Sequence, residues 1–254
     1  MSIQTAEQYE ENEQYELALA EYEKENEKHP NNPEILERLG HLSAILNKKE
    51  DAAKYYTKIL EFDPQNIMVY EQLCDIYYTT DKYKYYTYRG NMKNLEQQYN
   101  YAVSDYRKAI NYTDNENEIL LCRFAIGALL ELQGNYNKEI DVYLKIIDQD
   151  NKNENAYLKL ANIYLRQNIL TAGISTLEQG IKNGINNPAM IEILAELYLK
   201  NGDYEKAMEL TDNEIMKAKC LLELNKISEA KDLISRIENK YSKHPHLFVL
   251  KAQI

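Results

Sequence analysis

The feature of this sequence that most constrains its fold is an apolar pattern that describes two helices and then stops. Across residues 33–66, apolar side chains recur at helical spacing, pause at residues 47–50 and then resume. The small residues Gly40 and Ala52 lie where the two helices would cross closely, and Pro64 prevents the second helix from continuing. The segment predicts a helical hairpin, which cannot bury both of its faces alone and needs neighbours.

Further hairpins are indicated at an interval of 34 residues. Pro30 precedes Pro64 by this interval, and Cys74, another small residue, follows Gly40 by the same interval. A small residue at repeat position 8, an aromatic or aliphatic at 11, alanine at 20, an aromatic at 24 and proline at 32 resembles the tetratricopeptide repeat. The resemblance runs from end to end and implies an all-α fold, a right-handed α-solenoid of about seven tetratricopeptide-like hairpins.

The third repeat unit departs from this register. Counting from Ile67, Tyr86 occupies the position of the alanine and Gly90 that of the aromatic, while the pattern reappears across residues 99–110. We therefore predict an insertion of about sixteen residues that separates the two helices of this unit or lengthens them.

The remaining repeats complete a single predicted solenoid over residues 1–254. It ends in a lone C-terminal helix, which is either a cap or the start of a repeat that does not finish. The predicted units are residues 1–32, 33–66, 67–116, 117–153, 154–187, 188–211 and 212–243, followed by the terminal helix 246–254.

Composition limits the classes of partner. The formal net charge of −11 argues against a general binder of nucleic acid or anionic membranes, so a polypeptide partner with basic or neutral character fits better. The three cysteines, Cys74, Cys122 and Cys220, are far apart and show no CxxC spacing, which is typical of a reduced compartment. With no signal peptide and no apolar run of about 20 residues, we expect a soluble, cytoplasmic protein.

The sequence contains no recognisable catalytic constellation. It lacks GxGxxG, GxxxxGK[ST], HExxH and GxSxG motifs, so we expect neither enzymatic activity nor a cofactor. His244 and His246 flank a proline but have no further ligands nearby in sequence, which favours an exposed loop over a metal site.

The resemblance implies a groove lined by positions 2, 5, 9, 12 and 13 of each first helix. Read in this register, the groove changes from acidic to apolar to polar, which suits a peptide that carries Lys or Arg beside an apolar stretch. The alternative is that these residues only pack against adjacent helices. The candidate groove residues are Glu37, His41, Glu71, Asp75, Phe124, Leu158 and Asn162.

Tyrosine is concentrated where the repeat pattern fails. Most of the 23 tyrosines occupy repeat positions that packing explains, but most of the others lie in the third unit, beside the basic stretch 82–93. Aromatics among cations suit protein interfaces and, less well here, nucleic-acid bases. The alternative is that they pack on the second and fourth units. The candidate residues of this insertion are Tyr78, Tyr83, Tyr85, Tyr86, Tyr88 and Arg89.

Together these patterns predict a non-catalytic scaffold or adaptor that binds a polypeptide through the groove, the tyrosine-rich insertion, or both. A nucleic-acid-binding or enzyme-accessory protein that uses the basic stretch 82–93 is the alternative function. Self-association through the third unit or the terminal helix, with Leu247 and Leu250 packing on a second copy, is a further hypothesis.

Overall fold

The structure is a computed structural model that describes residues 3–238 and 245–252. Within these residues the chain is all-helical and forms sixteen helices without a β-strand, which confirms the predicted fold class. The helices are α1 (Ile3–Glu11), α2 (Tyr15–Lys28), α3 (Pro33–Ile45), α4 (Lys49–Phe62), α5 (Ile67–Tyr77), α6 (Lys82–Leu95), α7 (Tyr99–Ile110), α8 (Glu116–Leu132), α9 (Tyr136–Gln149), α10 (Glu154–Arg166), α11 (Leu170–Lys182), α12 (Pro188–Asn201), α13 (Tyr204–Leu210), α14 (Glu214–Glu223), α15 (Ile227–Ile237) and α16 (Pro245–Ala252).

The chain divides into two compact units, Met1–Asn135 and Tyr136–Ile254. In the first unit, consecutive helices from α1 to α8 pack on one another, and in the second the same holds from α9 to α15. Most of these helices bury an apolar face against their neighbours in sequence, which is the local packing expected of a repeat array. The extension of these two units into one solenoid stays a prediction.

The hairpin α3–α4 shows why the repeat sequence folds as it does. The side chain of Asn32 accepts a hydrogen bond from the Glu34 backbone N–H and caps α3, with Pro33 following at the first helical position. Asn47 adopts a positive φ of 56°, which turns the chain into α4. A Cβ added to Gly40 would lie 2.8 Å from the Tyr56 ring, so any larger residue would force this ring to shift.

The predicted insertion is a complete extra helix, α6, which packs against both α5 and α7. Gly90, which does not fit the 34-residue register counted from Ile67, is the small residue of the α6–α7 pair. A Cβ on Gly90 would lie 3.0 Å from the ring of Tyr106, the same contact that Gly40 makes with its tyrosine. The repeat pattern therefore restarts within the insertion, at α6.

At the C-terminal end, α16 begins at Pro245 and packs on α14 and α15. Leu247 and Leu250 are buried in a cluster with Ala218, Ile234 and Ile237, so these two leucines are occupied within the chain. The large apolar residues that α16 leaves exposed are Phe248 and Val249. His244 lies outside the described residues.

Other sequence expectations concern metals, thiols and membranes. In the part of the chain that the structure describes, no group of His, Cys, Asp and Glu side chains is placed to hold a metal ion. All three cysteines are free thiols and buried. No described helix combines the length and the apolar character needed to cross a bilayer.

Candidate functional site

A cleft of about 660 Å³ lies between α3, α4 and α5 in the first compact unit. Two of the predicted groove residues, Glu37 and His41, are exposed on α3 and line this cleft. We call it the acidic cleft. Its lining residues are Pro33, Glu34, Glu37, Arg38, His41, Tyr56, Ile59, Phe62, Asp63, Asn66, Met68, Val69 and Gln72.

The acidic cleft combines exposed apolar side chains with carboxylates. Phe62 is 50% exposed and Met68 is 68% exposed, although both are large apolar residues. Tyr56 also lines the cleft, and its burial together with the negative charge of Glu37 raises its pKa. Large exposed apolar side chains often mark a site of protein binding. The cleft therefore offers a partner an apolar contact through Phe62 and Met68 and an electrostatic contact through its carboxylates.

The carboxylates around the cleft are largely uncompensated. The one arginine in the lining, Arg38, is paired with Glu10 of α1 at 3.2 Å. Among the described residues, neither Glu34 nor Glu37 forms an ion pair, so both charges face the solvent without a counter-ion from the chain.

The predicted groove residues of α5 extend this arrangement. Glu71 and Asp75 are exposed on α5, three and seven positions after Met68, and therefore lie along the same helix face. Neither residue forms an ion pair within the described chain. The face of α5 next to the cleft thus continues from an apolar residue to two free carboxylates.

The other predicted groove residues are not part of the acidic cleft. Phe124 is half-buried on α8. Leu158 is half-buried on α10 against the core of the second compact unit. Asn162 is exposed one turn later, and its side-chain N–H donates to the Leu158 carbonyl oxygen at 2.9 Å.

Tyr78 is exposed at the end of α5, whereas the other four candidate tyrosines of the insertion are half-buried on α6 and contact neighbouring helices. Tyr88 stacks on Tyr77 of α5 with 5.7 Å between ring centroids, and lies 6.2 Å from Tyr70. Burial, followed by the neighbouring Cys122 of α8, raises the pKa of Tyr83 to about 12. Tyr83 and Tyr88 therefore both contact neighbouring helices of the first compact unit.

The Arg89 side chain forms its hydrogen bonds within the same compact unit. Its Nε donates to Asp105 Oδ2 at 2.7 Å, its Nη2 donates to Asp105 Oδ1, and its Nη1 donates to the Tyr85 hydroxyl at 2.8 Å. Its guanidinium carbon lies 5.1 Å from the Tyr85 ring centroid and 5.2 Å from that of Tyr86. These contacts raise the pKa of Arg89 further above its usual range and leave its charge neutralised by Asp105.

Sequence reasoning missed Asp105, Phe62 and Asp63. Asp105 carried a detectable signal, since it stands between the buried residues Val103 and Tyr106 on an otherwise apolar helix face. A carboxylate that is only 3% exposed requires a nearby cation, and the arginine of the preceding helix supplies it. Phe62 had no comparable signal, because exposure at a helix end depends on the neighbouring loop.

Comparison with known proteins identifies the repeat. A family model for the tetratricopeptide repeat matches residues 4–67, which cover α1 to α4. Residues 4–67 are similar to tetratricopeptide repeats. This confirms the sequence interpretation of the opening hairpins.

One curated relative of this chain is the CTR9 homologue of Arabidopsis thaliana. The two are 25% identical over 248 residues, an alignment that covers 74% of this chain and 23% of the plant protein. The chain thus spans about a quarter of the length of the relative that it matches.

Two solved structures share the fold. The C-terminal part of a tetratricopeptide repeat-containing protein from Cytophaga hutchinsonii matches with a TM-score of 0.57 and 15% identity, over 98% of this chain and 99% of that one. Naa15, solved with Naa10 and bound to HypK, matches with a TM-score of 0.53 and 14% identity, over 98% of this chain and 37% of that one. Tetratricopeptide repeat proteins are generally scaffolds for protein interactions.

Proposed function

We propose that this chain is a non-catalytic scaffold or adaptor that binds a polypeptide segment in the acidic cleft between α3, α4 and α5. The observation that carries the proposal is the pairing of unpartnered carboxylates, Glu34 and Glu37, with the exposed apolar side chains Phe62 and Met68. A segment with Lys or Arg beside an apolar residue complements both features. The solved complex of Naa15, which has the same fold, supports a role in binding polypeptides.

The two kinds of contact contribute differently to binding. Burying a large apolar side chain is worth about 1.5–3 kcal/mol, so Phe62 and Met68 supply most of the affinity. An ion pair at an exposed rim is worth about 0.2–1 kcal/mol, but it steers association and rejects acidic partners. Glu71 and Asp75 lengthen the acidic rim along α5 and set the direction in which a basic segment continues.

A charge reversal at the cleft tests this proposal. The variant E34K/E37K should weaken binding of a fluorescein-labelled peptide of alternating lysine and leucine by about tenfold, as measured by fluorescence anisotropy. A second peptide with serine in place of leucine should bind weakly to the native chain, because it cannot use Phe62 or Met68.

The chain offers a matched control on the opposite face of α4. Glu50 and Glu61 are exposed and line a separate cleft, of about 760 Å³, so E50K/E61K changes the net charge equally without touching the acidic cleft. This control should alter the affinity by less than about twofold. Equal losses in both variants would show that the peptide senses only the overall charge, and the proposal would be abandoned.

The alternative function is nucleic-acid binding or an accessory role to an enzyme, through the basic stretch 82–93. Arg89 is paired with Asp105, which lowers the charge available to a phosphate backbone. Binding of a single-stranded oligonucleotide that falls steeply with salt concentration would favour this alternative over the adaptor.

A further inference from the structure

Four tyrosines form a continuous row on the surface of the first compact unit. Tyr78 lies at the end of α5, Tyr85 and Tyr86 lie on α6, and Tyr112 follows α7. Successive ring centroids are 5.2, 5.0 and 5.5 Å apart, within the range of direct aromatic contact. We call these four residues the tyrosine row. None of them lines the acidic cleft.

Cations accompany the tyrosine row along its length. The ammonium of Lys82 lies 4.1 Å from the Tyr78 ring centroid, and that of Lys108 lies 5.5 Å from the Tyr86 centroid. The buried carboxylate of Asp105 is directed to Arg89, with the Lys108 ammonium farther away at 3.9 Å. Lys82 and Lys108 thus place two cations beside the row, on a chain whose formal net charge is −11.

The geometry of the rings determines what the row presents to a partner. Lys82 covers one face of Tyr78, Arg89 lies over Tyr85 and Tyr86, and Tyr112 stacks on Tyr86 with planes 18° apart. Ring faces are thus used within the row, whereas Tyr78 and Tyr112 are still 54% and 55% exposed. The hydroxyls of Tyr78 and Tyr112 form no hydrogen bond with other described residues. The Lys82 ammonium donates one hydrogen bond to the Tyr78 carbonyl oxygen, and the Lys108 ammonium lies near Asp105. The donors left for a partner are the two phenol O–H groups and the remaining ammonium N–H groups.

We infer that the tyrosine row binds an acidic segment of a polypeptide partner, separately from the acidic cleft and with the opposite charge preference. Carboxylates of such a segment accept hydrogen bonds from the phenols of Tyr78 and Tyr112 and pair with Lys82 and Lys108. Tyrosine contributes a large contact area at a small cost in side-chain entropy. A nucleic acid fits less well, because base stacking requires free ring faces and the acidic remainder of the chain repels a long phosphate backbone.

The test uses all 254 residues of this chain and a fluorescein-labelled peptide of ten glutamates as the probe. The variant K82E/K108E should weaken binding of this probe by about tenfold, and the milder K82Q/K108Q by about threefold. The matched control K219E/K231E reverses two exposed lysines of the second compact unit and should change the affinity by less than about twofold. Circular dichroism confirms that each variant keeps its helix content.

A second variant isolates the phenol hydroxyls. Y78F/Y112F keeps both rings but removes two donors, and it should weaken binding of the glutamate peptide by about threefold or more, as expected for lost hydrogen bonds to a charged group. Binding of the lysine–leucine peptide should stay within about threefold in K82E/K108E, so that a failure of the row and a failure of the cleft are distinguishable.

Two results would overturn the inference. One is an equal loss of glutamate-peptide binding in K82E/K108E and in K219E/K231E, which would mean that only the overall charge matters. The other is tighter binding of a single-stranded oligothymidylate than of the glutamate peptide, with the same dependence on Lys82 and Lys108. That result would assign the row to nucleic acid.

Discussion

The helix pairs α3–α4 and α6–α7 share one packing contact and differ in much of what surrounds it. Gly90 follows Gly40 by 50 positions, and Tyr106 follows Tyr56 by the same number. In both pairs the glycine faces its tyrosine at a distance that leaves no room for a Cβ without a shift of the ring. The two hairpins therefore use the same contact to set their helix crossing.

The surrounding residues change from apolar to charged. Leu39, which is fully buried in α3, has Arg89 as its counterpart in α6, and Tyr55 of α4 has Asp105 as its counterpart in α7. The charged pair is tolerated because the guanidinium and the carboxylate satisfy each other. The glycine–tyrosine contact thus fixes the hairpin, while the neighbouring positions can vary if their charges are compensated.

The largest expected effect comes from breaking this compensation. Asp105→Ala leaves the Arg89 guanidinium between two tyrosine rings without its counter-ion, and should lower the free energy of unfolding by about 2–4 kcal/mol. Urea unfolding followed by circular dichroism measures the loss.

Replacing Arg89 and Asp105 by their counterparts from α3–α4 tests whether the charged pair can be exchanged for uncharged residues. The double variant R89L/D105Y places the residues of α3–α4 into α6–α7, and replacing a buried ion pair by apolar groups is often nearly neutral. It should therefore lose much less stability than Asp105→Ala. If the double variant is as unstable as the single one, the two hairpins are not equivalent at these positions.

A smaller effect is expected from the shared contact itself. In Gly40→Ala the new Cβ would lie 2.8 Å from Tyr56, and in Gly90→Ala 3.0 Å from Tyr106, so the first variant requires the larger shift. Overpacking costs about 1–3 kcal/mol, and the better helix propensity of alanine returns about 0.5–1 kcal/mol. We expect a net loss of about 1 kcal/mol for Gly40→Ala and a smaller loss for Gly90→Ala.

A double-mutant cycle tests whether the ring is the cause. Tyr56→Leu removes the atoms that the new Cβ would meet, so Gly40→Ala should cost less in that background than in the native chain. Additive effects of the two substitutions would contradict the proposed contact.

These comparisons also show how far the sequence determines the structure. The apolar period and the glycine in α3 predicted the hairpin α3–α4, and the candidate groove residues Glu37 and His41 fall together in one cleft. The pattern works here because both helices bury aliphatic residues at regular spacing.

The insertion could not be derived in the same way. Counting in steps of 34 assigned Gly90 to an aromatic position, and the buried side of α6 carries tyrosines and an arginine in place of aliphatic residues. The partner of Arg89 lies 16 residues away on another helix, a contact that packing sets and periodicity does not reveal. Periodicity does not reveal the tyrosine row either, because its four residues come from three separate segments of the chain.

The smallest expected effect concerns the pH dependence that α6 introduces through Tyr83. Its pKa is raised from 10.0 to about 12 in the folded chain, chiefly by burial, and returns to its ordinary value on unfolding. Below pH 10 both states hold the proton, so the contribution of Tyr83 to stability is complete. Between pH 10 and 12 only the unfolded state releases the proton, so this contribution is lost as the pH rises.

Tyr83→Phe removes the ionisation while keeping the ring, so the free energy of unfolding should fall less steeply between pH 10 and 12 than in the native chain. Because Tyr83 is half-exposed and solvent screens its charge, the difference should be only about a few tenths of a kcal/mol. Tyr101→Phe, which removes an exposed phenol from α7, is the control. If Tyr83→Phe and Tyr101→Phe change the pH dependence of the free energy of unfolding equally, the burial of Tyr83 adds no pH dependence. The pair α6–α7 would then differ from α3–α4 only in its charged residues and its surface.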